Sequence, residues 1–159
     1  MPTTAFQQRR LCLGAAVAAL FAAPLHANAA LPEVQVWKSP SCGCCQAWID
    51  HLEAAGFTVH KHDQGNSVAR RRAGIPDALG SCHTALIDGY AIEGHVPAAD
   101  IKRLLAERPA AIGLAVPGMP IGSPGMDGPA YGNRQDDYAV LLVGRDGSAR
   151  EFSRYPSAG

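Results

Sequence analysis

Cys42, Cys44 and Cys45 stand within four residues of one another in the run Ser39-Pro-Ser-Cys-Gly-Cys-Cys-Gln-Ala-Trp48, and a fourth thiol, Cys82, follows beside His83. Packing does not account for such density, since free Cys fills space like a small hydrophobe and is kept for its reactivity or metal affinity. Three chemistries use clustered sulfurs: structural disulfides, thiol–disulfide exchange, and soft-metal binding.

Disulfides are the plainest reading. Four cysteines allow three pairings, and one that joins Cys44 to Cys45 closes a strained vicinal ring. A domain of this size does not need staples to fold. Exchange catalysis is suggested by Cys42 and Cys45, which have C-x-x-C spacing at the start of a helix, where the helix dipole favours thiolate. Cys44 counts against it, because a third thiol between the pair would trap or scramble an exchange intermediate.

Soft-metal binding uses all four sulfurs. Thiolates select Cu(I), zinc and iron–sulfur clusters. Structural zinc sites usually show two spaced pairs, whereas C-x-C-C crowds three sulfurs onto one turn. That crowding hinders a single tetrahedral ion and suits sulfurs that bridge several Cu(I) ions. An iron–sulfur cluster has no further motif support. The crowding of Cys42, Cys44 and Cys45, with Cys82 as a fourth thiol, thus favours several Cu(I) ions over one zinc ion. Zinc and a Cys42/Cys45 oxidoreductase stand as the alternatives.

His83, next to the fourth thiol, is read as a further ligand. His95, just before Pro97, and Met119 and Met126, each after Pro-Gly in a Gly/Pro-rich loop, are additional candidates, thioethers being soft ligands. His51 lies two turns beyond Cys44 on the same helix, about 10 Å by helical rise, and is read as a surface residue. His60 and His62 are read as exposed. No separate catalytic acid, base or organic-cofactor motif is evident.

Several elements must position these groups. Val34–Trp37 alternates like a strand, and from Cys44 the spacing turns helical, with Trp48, Ile49, Leu52 and Ala55 on one face and Gly56 closing it. Phe57–Lys61 reads as a second strand. Asn66 caps a short helix over 67–72 that ends in a solvated Arg70-Arg71-Arg72. Thr84–Ile87 and Tyr90–His95 form a hairpin across Asp88-Gly89. A helix opens at Pro97 and runs to Glu107, with Ile101, Leu104 and Leu105 inward. The order β-α-β-α-β-β-α is that of a thioredoxin-like α/β domain, whose chemistry sits in the loop between first strand and first helix. In such folds a cis-proline precedes the third strand; here that place holds Ser81-Cys82-His83-Thr84. Residues 117–138 lack periodicity, a length that marks a functional or disordered segment. They are read as a lid anchored by the two methionines. A terminal hairpin turns at Asp146-Gly147.

Residues 1–29 carry the pattern of a cleaved secretory signal: Arg9-Arg10, an apolar run from Leu11 to Leu25, then Ala27-Asn-Ala29. Cys12 and His26 leave with it. The remaining single domain, 30–159, is about 130 residues long. Removing Arg9 and Arg10 from 14 basic residues leaves twelve against 14 acidic ones, a formal charge of −2. No basic stripe suits nucleic acid, and no further apolar stretch reaches spanning length. The expected compartment is extracytoplasmic, where thiols tend to be oxidised, with no membrane contact once the signal is removed.

The motifs S-P-S-C-G-C-C-x-x-W, S-C-H-T, G-H-V-P and P-G-M-P-x-G-S-P-G-M-D together resemble the CopG-type periplasmic proteins of copper-resistance operons, domain-of-unknown-function family 411. The resemblance runs from about Val34 to the terminal hairpin. It implies a thioredoxin-like fold that holds a multinuclear copper–thiolate centre, with Cys42, Cys44, Cys45 and Cys82 as sulfur ligands. It further implies the periplasm as the compartment, with copper ions and other periplasmic copper-handling proteins as partners, and leaves sequestration, handover and copper redox conversion open as roles.

Overall fold

A computed structural model describes residues 30–157; the signal-like segment, with Cys12 and His26, lies outside them. The described chain is mixed α/β, with three α-helices and one seven-stranded sheet in the order β2-β1-β3-β4-β5-β6-β7. The elements are β1 (Val34–Lys38), α1 (Gly43–Ala54), β2 (Val59–His62), α2 (Ser67–Ala73), β3 (His83–Ile87), β4 (Tyr90–Glu93), α3 (Ala98–Glu107), β5 (Gly113–Ala115), β6 (Tyr138–Val143) and β7 (Ala149–Tyr155). β1 pairs parallel with β2 and antiparallel with β3, and β4 pairs parallel with β5. No helix of the described residues is long and apolar enough to cross a membrane.

Strand alternation divides the core between the two sheet faces. Ile92, Leu114 and Leu142 share one cluster with Trp48, Ile49 and Leu52 of α1 and with Ile101 and Leu104 of α3. Their neighbours Ala91, Ala115 and Val143 point the other way, onto Ile75, with Ala73 and Leu79 packed alongside. Fully buried side chains such as Leu52, Ile92 and Leu104 each contribute about 1.5–3 kcal/mol relative to exposure.

Local signals explain most element ends. After α1, the Gly56 N–H bonds Glu53 O and the Phe57 N–H bonds Leu52 O, the paired bonds of a Schellman stop. Gly56 has φ +94°, which a side chain would oppose. Asp88 and Gly89, at φ 47° and 84°, make the two-residue turn between Ile87 and Tyr90.

Helix α3 ends at Glu107, as its spacing predicts, with Arg108 after it in a left-handed conformation. Three sequence expectations need correction. β4 stops at Glu93, not His95, because the chain turns at Gly94 (φ +71°). Asn66 sits at the N-cap position of α2 but its side chain does not cap; the amide crosses to Ser81 O. Arg70 is not a solvated helix end, since its side chain turns inward to Glu93. Strand β5 had no sequence signal, its three residues being flanked by Pro109 and Pro117.

Candidate metal centre

The chain leaves β1 at Lys38, whose largely buried ammonium donates to Ser39 O (3.1 Å) and pairs with Asp63 (2.9 Å), fixing the entry to the cysteine loop. Cys42 is the N-cap residue of α1 and gives no side-chain cap bond. Cys44 and Cys45 therefore lie in a first turn whose backbone N–H groups favour negative charge, the condition that stabilises thiolate. Cys82 comes from the opposite direction, on the turn that leads into β3.

These two segments bring four sulfurs together. The ligand atoms of Cys42, Cys44, Cys45 and Cys82 all lie within 4.8 Å of one another. Cys44 Sγ is 3.5 Å from Cys42 Sγ and 3.9 Å from Cys82 Sγ. Cys42 and Cys45 are joined as a disulfide, while Cys44 and Cys82 are free thiols. The form described is thus the oxidised one, and reduction would release the two remaining sulfurs as ligands. Burial, and after it the neighbouring Cys44, push the Cys82 thiol up to about 12. A bound cation would oppose this shift by stabilising the thiolate.

A second donor group shares Cys82. The ligand atoms of Cys82, His83 and His95 also lie within 4.8 Å of one another. His83 Nδ1 is 3.4 Å from Cys82 Sγ, and His95 Nε2 is 3.1 Å from it. His95 Nδ1 donates to Pro124 O at 2.8 Å, so its Nε2 carries the free lone pair toward the sulfur. Both rings are fully buried, and His83 packs on Trp48 with centroids 4.2 Å apart. Burial lowers the pKa of His83 well below the usual imidazole value, and His95 adds to this. Burial lowers that of His95 too, opposed by the Pro124 carbonyl and Asp127. Neutral imidazole is the metal-binding form.

The Gly/Pro-rich segment closes over this site. Gly125 (φ +84°) lies so near α1 that a Cβ there would stand 2.5 Å from Cys44 O and 2.7 Å from Trp48 N. Ser123 and Pro124 are buried as well, so the segment is folded backbone packed on the cysteine turn. Met119 is exposed, one residue beyond Gly118, whose carbonyl accepts from the Ser81 hydroxyl. Met126 is half-buried, its N–H bonded to Ser123 O.

Two histidine readings are revised. His51 is half-buried, and its Nε2 accepts from Ala98 N–H at 3.0 Å, tying α1 to the start of α3. His62 is half-buried against Trp37, with centroids 4.6 Å apart, and hydrogen-bonds Gln35 at 2.8 Å. His60 is exposed as read. The residues that sequence reasoning missed are the supports: Asn66, Arg70, Thr84, Glu93 and the Pro124 carbonyl. Of these, the sequence marks Asn66 only as a cap and Arg70 only as a solvated helix end. Trp48 was read as core alone, yet it also stacks on His83 and donates to Val96 O.

A solved structure titled copper resistance protein CopG, in a first form, is 49% identical, with a TM-score of 0.73 over 79% of this chain and 98% of that one. A second form of the same protein gives the same identity and TM-score over 79% and 99%. This chain belongs to the CopG-type copper-resistance family. The family described as "Protein of unknown function, DUF411" matches residues 79–126, a stretch that holds Cys82, His83, His95 and the closing segment. No curated protein sequence matches the chain. In CopG-type terms the cysteine cluster is a group of side chains able to hold metal, and family membership points to copper.

Proposed function

We propose that this CopG-type protein is an exported copper-binding protein whose four thiolates hold a multinuclear Cu(I) cluster in the periplasm. The observation that carries the reading is convergence: Cys82 and the three sulfurs of the α1 turn share one pocket with ligand atoms within 4.8 Å. Four bridging thiolates neutralise several monovalent cations in a small volume, and binding releases the thiol protons. His83 and His95 lie buried beside Cys82 and serve as nitrogen ligands or as hydrogen-bond partners of its sulfur. Met119 and Met126 belong to the closing segment and are further soft donors. The parallel β1–β2 pair flanked by antiparallel β3 and β4, with the site at the β1–α1 loop, supports the thioredoxin-like reading of the scaffold.

Copper chemistry on these residues is a matter of which donors are available. Reduced, the site offers four sulfurs, which favour Cu(I). Closing the Cys42–Cys45 disulfide, in which the two sulfurs give up two electrons to an external thiol oxidant such as another disulfide, withdraws two of them, so sulfur oxidation and copper release are linked. Storage, delivery to another copper-handling protein and redox conversion of copper all draw on this link.

The disulfide also favours a second reading, thiol–disulfide exchange by Cys42 and Cys45. One experiment separates the two. The mature chain, reduced and kept anaerobic, is titrated with Cu(I), and bound copper is counted by elemental analysis. The cluster predicts more than one tightly held copper per chain, lost in Cys44→Ser and Cys82→Ser. Exchange chemistry predicts one copper or none, with insulin reduction that survives Cys44→Ser. One zinc ion per chain, with unfolding by a chelator, would point to a zinc module.

A further inference from the structure

Glu93 is a fully buried carboxylate at the end of β4, across the sheet from Thr84. Burying a carboxylate costs several kcal/mol unless hydrogen bonds and charge compensate it. Here its oxygens take Thr84 Oγ1 (2.5 Å), Ser81 N–H (2.7 Å), Arg70 Nη1 (3.4 Å) and Asn66 Nδ2 (3.4 Å). A role limited to holding α2 on the sheet would be met at lower cost by an apolar residue. What an apolar residue could not do is accept the Ser81 N–H, two atoms from the peptide that enters Cys82.

The whole turn before β3 is bonded in this way. Asn66 Nδ2 reaches Ser81 O (3.0 Å) and Thr84 Oγ1 (3.2 Å). The Ser81 hydroxyl donates to Gly118 O, Gly118 N–H to Gly80 O (3.1 Å), and Gly94 N–H to His83 O (3.0 Å). Cys82 is the residue these bonds enclose, and its own polar group, the sulfur, is left facing Cys44 and His95. Gly94 allows this approach, because a Cβ there would meet Ser81 Oγ at 2.5 Å.

We infer that Glu93, supported by Asn66 and Arg70 of the α2 region, is a positioning residue that aims Cys82 Sγ at the sulfurs of α1. Its consequence for metal rests on the copper–thiolate reading; the aiming itself does not. Glu93 touches no ligand atom and acts through the Ser81 backbone.

The test therefore avoids copper. In the form with Cys42 and Cys45 joined, Cys44 and Cys82 are the free thiols among the described residues. Iodoacetamide alkylation of each is followed by mass spectrometry, and the ratio of the Cys82 rate to the Cys44 rate is compared across variants. The expected result is a several-fold rise in the ratio for Glu93→Ala. A smaller rise is expected for Glu93→Gln, whose side-chain carbonyl still accepts the Ser81 N–H. Leu104→Ala, a core control, should raise both rates and leave the ratio unchanged. If Glu93→Ala does not fold, Asn66→Ala takes its place, with a rise again expected. An unchanged ratio in the folded Glu93→Ala (or its replacement), or an equal rise in Leu104→Ala, overturns the inference. Copper titration of the same variants reads the separate consequence: Glu93→Ala should fall to the copper content of Cys82→Ser. Retained copper alongside an altered ratio would count against the cluster and leave the positioning role standing.

Discussion

His95 presents a bare Nε2 to Cys82 Sγ at 3.1 Å because its Nδ1 proton is committed to Pro124 O at 2.8 Å. A carbonyl oxygen has no proton to give, so the tautomer is set by the backbone of the closing segment. Metal-binding histidines are commonly oriented in this way, by donating the other ring N–H to a carbonyl. His95→Phe should keep the fold, since the new ring remains aromatic and buried. Its copper affinity should fall about 10- to 100-fold, the usual effect of losing a ligand-orienting or tuning contact. Competition against a Cu(I) chelator measures this; unchanged affinity would place His95 outside the metal's surroundings.

Gly125 lets the closing segment rest on the first turn of α1. Gly125→Ala imposes a side chain at φ +84° and drives it into Cys44 O and Trp48 N. The conformational penalty alone is about 1–2 kcal/mol, before any steric clash. The variant should show a lower Tm and faster alkylation of Cys44. A melt and a thiol-reaction rate equal to wild type would show that the segment does not cover the site.

Acid should destabilise the metal-free protein. His83 is held neutral by burial well below the usual 6.5 of imidazole, with His95 acting in the same direction. As pH falls through about 6.5 the unfolded chain takes up a proton that the native ring refuses, so stability is lost below that value. His95 and His51, also lowered by burial, add the same sign. Glu93, raised by burial, opposes it, because above 4.5 the native carboxyl still holds a proton that the unfolded one has lost. Glu93 is common to the wild type and His83→Phe, so the wild type should lose more Tm between pH 7 and 5.5 than His83→Phe, which lacks one lowered imidazole. Equal pH profiles in the two proteins would contradict the burial of a neutral His83.

Much of this arrangement is written in short-range signals. The Asp88-Gly89 turn, the Gly56 stop and the helical spacing of Trp48, Ile49 and Leu52 depend on neighbours close in sequence, and each was readable there. The sulfurs were readable as chemistry because soft ligands are rarely clustered without use. Convergence of Cys82 on the α1 turn is a different matter: 38 residues separate it from Cys44, and long-range β1–β3 pairing brings them together. The supports were hidden for the same reason. Glu93 sits in a strand buried on both faces, where alternation gives no cue, and its partners Asn66, Arg70, Ser81 and Thr84 come from three other segments. β5 is three residues long and owes its existence to β4 and β6 on either side.

The most direct test of the central claim is X-ray absorption at the copper edge on the reduced, Cu(I)-loaded protein. Four converging thiolates predict a first shell dominated by sulfur together with a short copper–copper scattering path, the latter lost in Cys82→Ser. A lone copper with no copper–copper path, or a spectrum that Cys82→Ser leaves unchanged, would contradict it.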